Sequence, residues 1–367
     1  MYINLLSFFK TYKYPLLYAA CGPVICAALI FIARTCPDLA QLYASYIFPI
    51  FPNTLGRLLS FFPFSVFEVS LYLLSLGVLF TLFAALISLL HKSGRHWLLL
   101  RTPKIMVTAL CLCTTILLMI TLTCSINYSR DGIAKDMGIV TGPASHDNLV
   151  SLCLLLIDDV NSLTPEGDMS MTALHKKTKK SMEALGKKYP SLNGYYPNPK
   201  PVIMSSWMSD IGLTGIFSPY TIEANYNKDV PDYIKPYTIC HELSHLQGYI
   251  GEDDAGFIAY LACANSESEE LRYSGAINAL SFVLNALYED STEEEYQRIL
   301  SKIPERATAD LKRNQQYWQK HQGTASRIST AVNDTYLKAN AQSDGIQSYG
   351  RMVDLLLAYY GLNSHAI

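Results

Sequence analysis

Residues 239–254 read Ile-Cys-His-Glu-Leu-Ser-His-Leu-Gln-Gly-Tyr-Ile-Gly-Glu-Asp-Asp, with two histidines four positions apart. On a helix, this spacing places the imidazoles of His241 and His245 on one face about one turn apart, so that both can reach one metal ion. Glu242 lies beside them and can accept a proton from a water molecule on that metal. Gly248 favours the end of the helix and lets the chain turn back toward the metal. The stretch therefore predicts a metal site built on a helix and the turn that follows it.

A zinc site for hydrolysis needs three protein ligands and one open position. We predict Glu252 as the third ligand because it begins the helix after the turn, with Asp254 as the alternative and Asp253 ranked third. With Zn²⁺ bound, the expected chemistry is polarisation of a scissile carbonyl, while Glu242 passes a proton from water to the leaving amine. The alternative role for Glu252 is that of an acidic cap at a helix N-terminus.

Two other places supply candidates for the walls of a cleft. Zinc proteases often pair an edge strand with the substrate backbone, and the stretch 215–227 before the metal helix looks extended. We therefore predict Tyr220, Glu223 and Asn225 as substrate-binding residues, with a loop of no such role as the alternative. Tyr273 is a candidate hydrogen-bond donor to the oxyanion, and its alternative is a packed phenol with a satisfied hydroxyl group.

The first third of the chain has the composition of a membrane domain. Residues 1–125 hold 8 of the 29 Lys and Arg residues and 2 of the 31 Asp and Glu residues. A spanning helix needs about 20 mostly apolar residues. Three stretches meet that requirement, namely 14–33, 66–90 and 105–126. Residues 46–64 are apolar too, but prolines and polar residues interrupt them, which favours an interfacial or re-entrant segment.

Basic residues near the ends of these helices predict the orientation of the chain. Six lie before the first helix or between the second and third, whereas two lie between the first and second. This distribution puts the N-terminus in the cytoplasm, and three crossings then place residues 127–367 outside. The expected location is the cell membrane, multi-pass, with the C-terminal domain extracytoplasmic.

The large domain at 127–367 is predicted to be α-rich α+β, behind a transmembrane domain at 1–126. Its predicted helices cover 145–163, 172–188 and most of the chain after Tyr237, and its predicted extended segments are 201–206 and 215–227. With 21 basic and 29 acidic residues beyond 125, nucleic acid is not expected as a partner. The expected partners are a peptide or protein substrate and the lipid bilayer, and the sequence leaves the oligomeric state open.

The metal motif, the glycine after it and the segment 252–263 resemble the zincin metallopeptidases with a glutamate third ligand. More narrowly, the chain resembles an uncharacterised family of bacterial multi-span membrane proteins with a zincin-like extracytoplasmic domain. Further landmarks carry that resemblance over most of the chain, at 219–225, 272–275, 334–340 and 348–356. The resemblance implies a mainly α, zincin-like fold, with zinc bound by His241, His245 and Glu252 and with Glu242 as the catalytic base.

One position departs from this resemblance. Related glutamate-zincins usually carry Asp or Asn four positions after the third ligand, where the side chain often orients a ligand histidine. Here Ala255 is the alanine that these zincins usually have three positions after the third ligand, but Gly256 stands where they carry Asp or Asn. The departure implies weaker zinc binding, another orienting group or a different ligand. We expect a membrane-anchored zinc metallopeptidase, and the alternative is a catalytically inactive zincin-fold scaffold or regulator in the cell envelope.

Overall fold

The computed structural model describes residues 5–142, 145–167, 169–340 and 350–362. The landmark residues Ser348 and Tyr349 therefore lie outside the described residues. The α-helices of the N-terminal part are α1 Leu5–Thr11, α2 Lys13–Thr35, α3 Pro37–Leu42, α4 Arg57–Leu59, α5 Val66–Leu90 and α6 Lys92–Ile120. Three helices are long and apolar enough to cross a membrane, namely α2, α5 and α6 with its continuation to Ser129. The prediction of three such helices is confirmed.

The third apolar helix begins earlier than expected. It starts at Lys92 rather than at residue 105, and after Ile120 it continues through a π turn (Thr121–Ser125) and a 3-10 turn (Asn127–Ser129). The prediction followed apolarity, but a helix needs only its backbone hydrogen bonds and tolerable side chains. Pro103 inside α6 removes one such bond without ending the helix.

The apolar stretch between the first two spans forms short helical turns. Besides α3 and α4, it contains π turns at Tyr43–Ile47 and Pro52–Gly56. Phe48 is buried, and a side chain at Gly56 would lie only 3.0 Å from Pro197 of the large domain. This stretch packs on the large domain, and that contact accounts for part of its apolar character.

The large domain is mainly helical around one small sheet. Its α-helices are α7 Ile133–Met137, α8 His146–Ser162, α9 Met171–Lys188, α10 Ser205–Asp210, α11 Lys235–His245, α12 Glu252–Ala264, α13 Glu269–Asp290, α14 Glu293–Leu300, α15 Glu305–His321, α16 Thr324–Ala339 and α17 Met352–Tyr359. Its 3-10 turns are Pro190–Leu192 and Asp232–Ile234, and its strands are β1 Lys200–Pro201, β2 Gly215–Ser218 and β3 Glu223–Tyr226. The strand order is β1-β3-β2, with β1 and β3 parallel and β2 and β3 antiparallel.

The predicted helices at 145–163 and 172–188 are confirmed by α8 and α9, and the predicted extended stretch 215–227 is the hairpin of β2 and β3. The segment 201–206 was only partly right, because the strand stops at Pro201 and α10 begins at Ser205. The carboxylate of Glu68, on α5, accepts hydrogen bonds from the backbone N–H groups of Ile203 and Met204, both at 2.8 Å. This contact with α5 therefore ends the strand and turns the chain here, and the sequence around residue 203 does not predict it.

The core positions the metal helix. α11 packs against α9, α12 and α13 and against β2 and β3. Ile239 and Leu243 of α11 are buried, and so is Leu246 directly after it. Burial of each such side chain contributes about 1.5–3 kcal/mol, so the orientation of α11 about its axis is well determined. The opposite face carries the two histidines.

Candidate metal centre

The turn after α11 depends on glycine. α11 ends at His245, and Gly248 adopts a left-handed φ of 82°. A Cβ at this position would lie 3.1 Å from both Arg130 and Phe48, so close packing also requires glycine there. α12 then begins at Glu252, which returns the chain to the histidine face of α11. The predicted helix, turn and second helix are all present.

His241, His245 and Glu252 form a group of side chains that could hold a metal ion. Their potential ligand atoms all lie within 4.8 Å of one another, and Nε2 of His241 is 3.0 Å from Oε2 of Glu252. The two imidazole rings are nearly perpendicular, with centroids 4.8 Å apart. A tetrahedral zinc ion would hold such atoms about 3.3 Å apart. The donor set therefore fits zinc if its widest pair closes by roughly 1.5 Å.

The protonation of this group is set by burial and by mutual charge. Burial disfavours protonation of His241, but the hydrogen bond and charge of Glu252 and the charge of Glu242 outweigh it and raise the pKa of His241. Glu252 thus favours a positive charge on His241, at the place that a cation would take. For His245, burial and the charge of His241 lower the pKa to about 4. His245 is therefore neutral at physiological pH, as a metal ligand must be.

The orientation of His245 is set by the backbone that follows it. Its Nδ1 lies 2.7 Å from the carbonyl oxygen of Tyr249, so Nδ1–H donates and the lone pair of Nε2 is left for a ligand. Tyr249 reaches this position through the turn at Gly248. A backbone carbonyl therefore orients this histidine, where related sites often use an acidic side chain.

Glu242 is almost fully buried beside the start of β2. A Cβ at Gly215 would lie 2.4 Å from its Oε1, so any larger residue there would displace the carboxylate. Burial is the main cause that raises the pKa of Glu242 to about 8; the charge of Glu252 adds to it, while His241 and a hydrogen bond from the backbone of Phe217 oppose it. A carboxylate with its pKa in this range can both accept and return a proton near neutral pH.

A family model described as "Protein of unknown function (DUF3810)" matches residues 43–357. The chain belongs to the DUF3810 family. The matched range contains the second and third apolar helices and the whole histidine–glutamate group. No curated protein and no solved structure matches the chain. Membership of a family of unknown function agrees with the narrower of the two resemblances, and the likeness of this DUF3810 protein to zincins rests on its site residues.

The two alternative acidic ligands lie elsewhere in the DUF3810 protein. The carboxylate of Asp254 accepts a hydrogen bond from the backbone N–H of Ile133 at 3.0 Å, and burial raises its pKa to about 7. The carboxylate of Asp253 pairs with Nε of Arg351 at 3.3 Å. Among the three acidic residues, only Glu252 is in contact with His241.

Of the predicted substrate-binding residues, Tyr220 lines the cavity that contains the histidines. Glu223 instead accepts hydrogen bonds from the backbone N–H groups of Val66 and Phe67, at 3.1 and 2.8 Å. Asn225 donates to the carbonyl oxygens of Ile216 and Glu223 within the sheet. The structure does not bring Glu223 and Asn225 to the cavity, because both side chains satisfy backbone groups.

Tyr273 also lies away from the histidines. Its hydroxyl group donates to Asp310 at 2.6 Å, and its ring lies under the guanidinium of Arg306. It lines a separate cavity of about 560 Å³. The packed, satisfied phenol that was the alternative interpretation is therefore what the structure contains.

The cavity around the histidines has a volume of about 770 Å³ and contains residues that the sequence did not single out. Tyr128, Trp318, Asn333 and Tyr336 line it, from α15, α16 and the end of the third apolar helix. Tyr336 lies in the stretch 334–340, which supported the family resemblance but to which the sequence assigned no role in the site. These residues come from separate helices, so only tertiary contacts bring them together.

Tyr237 accounts for Gly256 in this DUF3810 chain. The Tyr237 hydroxyl group donates to the carbonyl oxygen of Gly256 at 3.2 Å, and a Cβ at 256 would lie 3.0 Å from that hydroxyl oxygen. The ring centroid of Tyr237 lies 6.5 Å from that of His241. A phenol thus occupies the space in which a polar side chain at 256 would stand.

Proposed function

We propose that the protein is a membrane-anchored zinc metallopeptidase. His241, His245 and Glu252 hold the zinc ion, and Glu242 is the general base. The single observation that carries this proposal is the convergence of two imidazoles and one carboxylate within 4.8 Å, beside a second buried carboxylate. Active sites are the places where buried carboxylates and imidazoles with shifted pKa values are brought together in a cavity, and this group has that arrangement.

The chain's own residues supply positioning and proton transfer. Zinc, when bound, supplies a Lewis acid that polarises a carbonyl and acidifies water. The carboxylate of Glu242 takes a proton from the attacking water and passes it to the leaving amine. Such proton transfer typically accelerates a reaction 10²- to 10⁴-fold. Tyr249 holds His245 in the tautomer that leaves Nε2 available.

The edge strand β2 supports a peptide as the substrate. Within the described sheet β2 pairs only with β3, so its other edge has no strand partner and is the edge that an extended peptide would use. Gly215 and Phe217 of β2 both touch Glu242. A peptide paired with β2 would therefore run past the general base with its carbonyl groups in regular spacing.

For the orientation, we propose that the large domain lies outside the cytoplasm, because basic residues are concentrated at the N-terminus and between the second and third spans. Cysteine labelling from outside intact cells tests this orientation. Reagent reaching an introduced cysteine on exposed α15 supports it, and protection of α15 with labelling of the α5–α6 link contradicts it.

The function is tested on the purified full-length chain. We expect one zinc ion per chain by mass spectrometry, both in the natural protein and in Glu242→Gln. Hydrolysis of a fluorogenic peptide library should fall by about 10²- to 10⁴-fold in the variant. Absence of zinc from the natural chain contradicts the proposal. Zinc binding without hydrolysis of any peptide favours the inactive scaffold, an alternative that Gly256 supports.

A further inference from the structure

The cavity of the metal centre is walled in part by the helices that are apolar enough to cross a membrane. Phe67 is the second residue of α5, and Ile120 is the last residue of α6. Cys124 and Tyr128 follow in the continuation of α6 and line the same cavity. The metal centre therefore adjoins the point at which two of the three spans end.

Hydrogen bonds made by buried charged side chains fix this arrangement. Glu223 of β3 accepts from the first two N–H groups of α5, which a helix leaves free, while Glu68 of α5 accepts from two N–H groups before α10. Lys200 of β1 donates to the carbonyl oxygens of Leu59 and Phe62. Such charge-assisted bonds are short, directional and strong when buried. The sheet beside the metal centre is thus held directly on the start of α5.

The position of Glu68 marks the level of the bilayer surface. α5 has 25 residues and is about 37 Å long, which exceeds the hydrocarbon thickness of about 30 Å by roughly one and a half turns. A charged side chain belongs outside the hydrocarbon, so the first turn of α5, with Phe67 and Glu68, lies at headgroup level. Because Phe67 lines the cavity and its ring stacks on Tyr220, the cavity lies at that level too.

Exposed apolar side chains support the same level. Trp207 is 52% exposed and Phe61 84% exposed. Ile203 and Met204, whose backbones bond to Glu68, are exposed as well. Aromatic and apolar side chains in this position are typical of the membrane–water interface. The surface formed by Phe61, Ile203, Met204 and Trp207 is the underside of the large domain, and we expect it to contact lipid beside the start of α5.

We propose that the substrate of this site is a polypeptide anchored in the same bilayer and cut in the extended segment beside its own membrane span. This inference rests on the proposed function. An extended chain advances about 3.3 Å per residue, so a segment leaving the bilayer next to α5 reaches β2 within a few residues. Confinement to one membrane also raises the effective concentration of the substrate at the cavity.

The test compares two probes in vesicles that contain the full-length protein. In the anchored probe, ten randomised residues join an apolar 20-residue helix to a soluble reporter domain, in both orientations. The soluble probe carries a Gly-Ser segment in place of the apolar helix. We expect at least about 10-fold more reporter release from the anchored probe, with cuts mapped by mass spectrometry within about five residues of its helix. A 40-residue Gly-Ser spacer after the helix should lower the release.

The outcomes separate this inference from the proposed function. Equal release from both probes, abolished in Glu242→Gln, retains the peptidase and overturns the inference. Failure of a zinc-loaded chain to cut either probe overturns both. Release that persists in Glu242→Gln comes from another enzyme and counts against both, because the natural site then adds nothing.

A second measurement is independent of hydrolysis. In a Trp97→Phe, Trp318→Phe variant, Trp207 is the remaining tryptophan, and we expect brominated lipids to quench its fluorescence strongly. Quenching by aqueous iodide but not by brominated lipid would show that the underside of the domain stands away from the bilayer. That result overturns the inference even if the peptidase activity is present.

Discussion

Two sets of buried charged side chains flank the small sheet, and they differ in what they face. At the metal centre, Glu242 and Glu252 converge with the histidines on one cavity, and burial raises the pKa of Glu242 to about 8. At the start of α5, Glu223 and Lys200 each face backbone groups that helix ends or loops leave free. The first set faces a cavity at a cost in stability, which is typical of binding sites, whereas the second set stabilises the fold.

The largest expected effect separates Glu252 from its neighbour Asp254. Glu252→Gln should lower zinc affinity by more than the about 10- to 100-fold that loss of a merely orienting group costs, because a neutral amide is a poor zinc ligand. Asp254→Asn should leave the affinity unchanged, since its oxygen can still accept from Ile133. Zinc titration against a chelator measures both. A loss confined to Asp254→Asn would reverse the assignment of the third ligand.

The next effect concerns Glu223. Glu223→Gln should lower the free energy of unfolding by about 2–3 kcal/mol, because the amide can accept from only one of the N–H groups of Val66 and Phe67. The matched change Glu242→Gln should leave the stability unchanged or raise it, since the neutral amide avoids the cost that burial imposes on an ionised carboxylate. Thermal unfolding in detergent measures both variants. Equal losses of stability would contradict the conclusion that Glu223 stabilises the fold and Glu242 does not.

A smaller loss is expected for Lys200. Lys200→Met keeps most of the packed volume but leaves the carbonyl oxygens of Leu59 and Phe62 without this donor, at a cost of about 1–2 kcal/mol. Zinc content should be unchanged, because Lys200 lies outside the cavity. A stability equal to that of the natural protein, in the same thermal assay, would mean that water replaces the lysine.

The smallest effect is a dependence on pH at His175, whose Nε2 lies 2.9 Å from the Tyr226 hydroxyl group at the end of β3. Burial, with the charges of Lys200 and Lys179, lowers the pKa of His175 to about 4. Between pH 6.5 and 4 the unfolded chain binds a proton that the folded chain refuses, so stability present above pH 6.5 is lost as the pH falls toward 4.

Partial exposure of His175 limits this loss to about 1 kcal/mol. His175→Gln should remove that part of the acid sensitivity, which unfolding temperatures at pH 4.5 and 7 would reveal. Other buried acids titrate in the same window, so the difference between variant and natural protein is the quantity to compare. If His175→Gln loses as much stability between pH 7 and pH 4.5 as the natural protein does, the acid sensitivity comes from other residues.

The sequence predicted the apolar helices, α8, α9 and the histidine face of α11, because these features depend on an apolar run or a periodicity within one helix. It did not predict the roles of Glu223 or Tyr273. Both have the residue type and the approximate sequence position of a cleft residue, yet Glu223 satisfies the end of α5 and Tyr273 satisfies Asp310. Which polar group a buried side chain meets depends on contacts between segments far apart in the chain.

The amino-acid sequence alone determined that His241 and His245 share one face, because 3.6 residues per turn leave no other arrangement on a helix. It also determined that Glu252 follows a glycine turn. Only the tertiary structure decided that Glu252, rather than Asp253 or Asp254, points at His241, and that the cavity adjoins the start of α5. Successive residues of α12 point about 100° apart, so the packing of that helix selects which carboxylate faces the histidines.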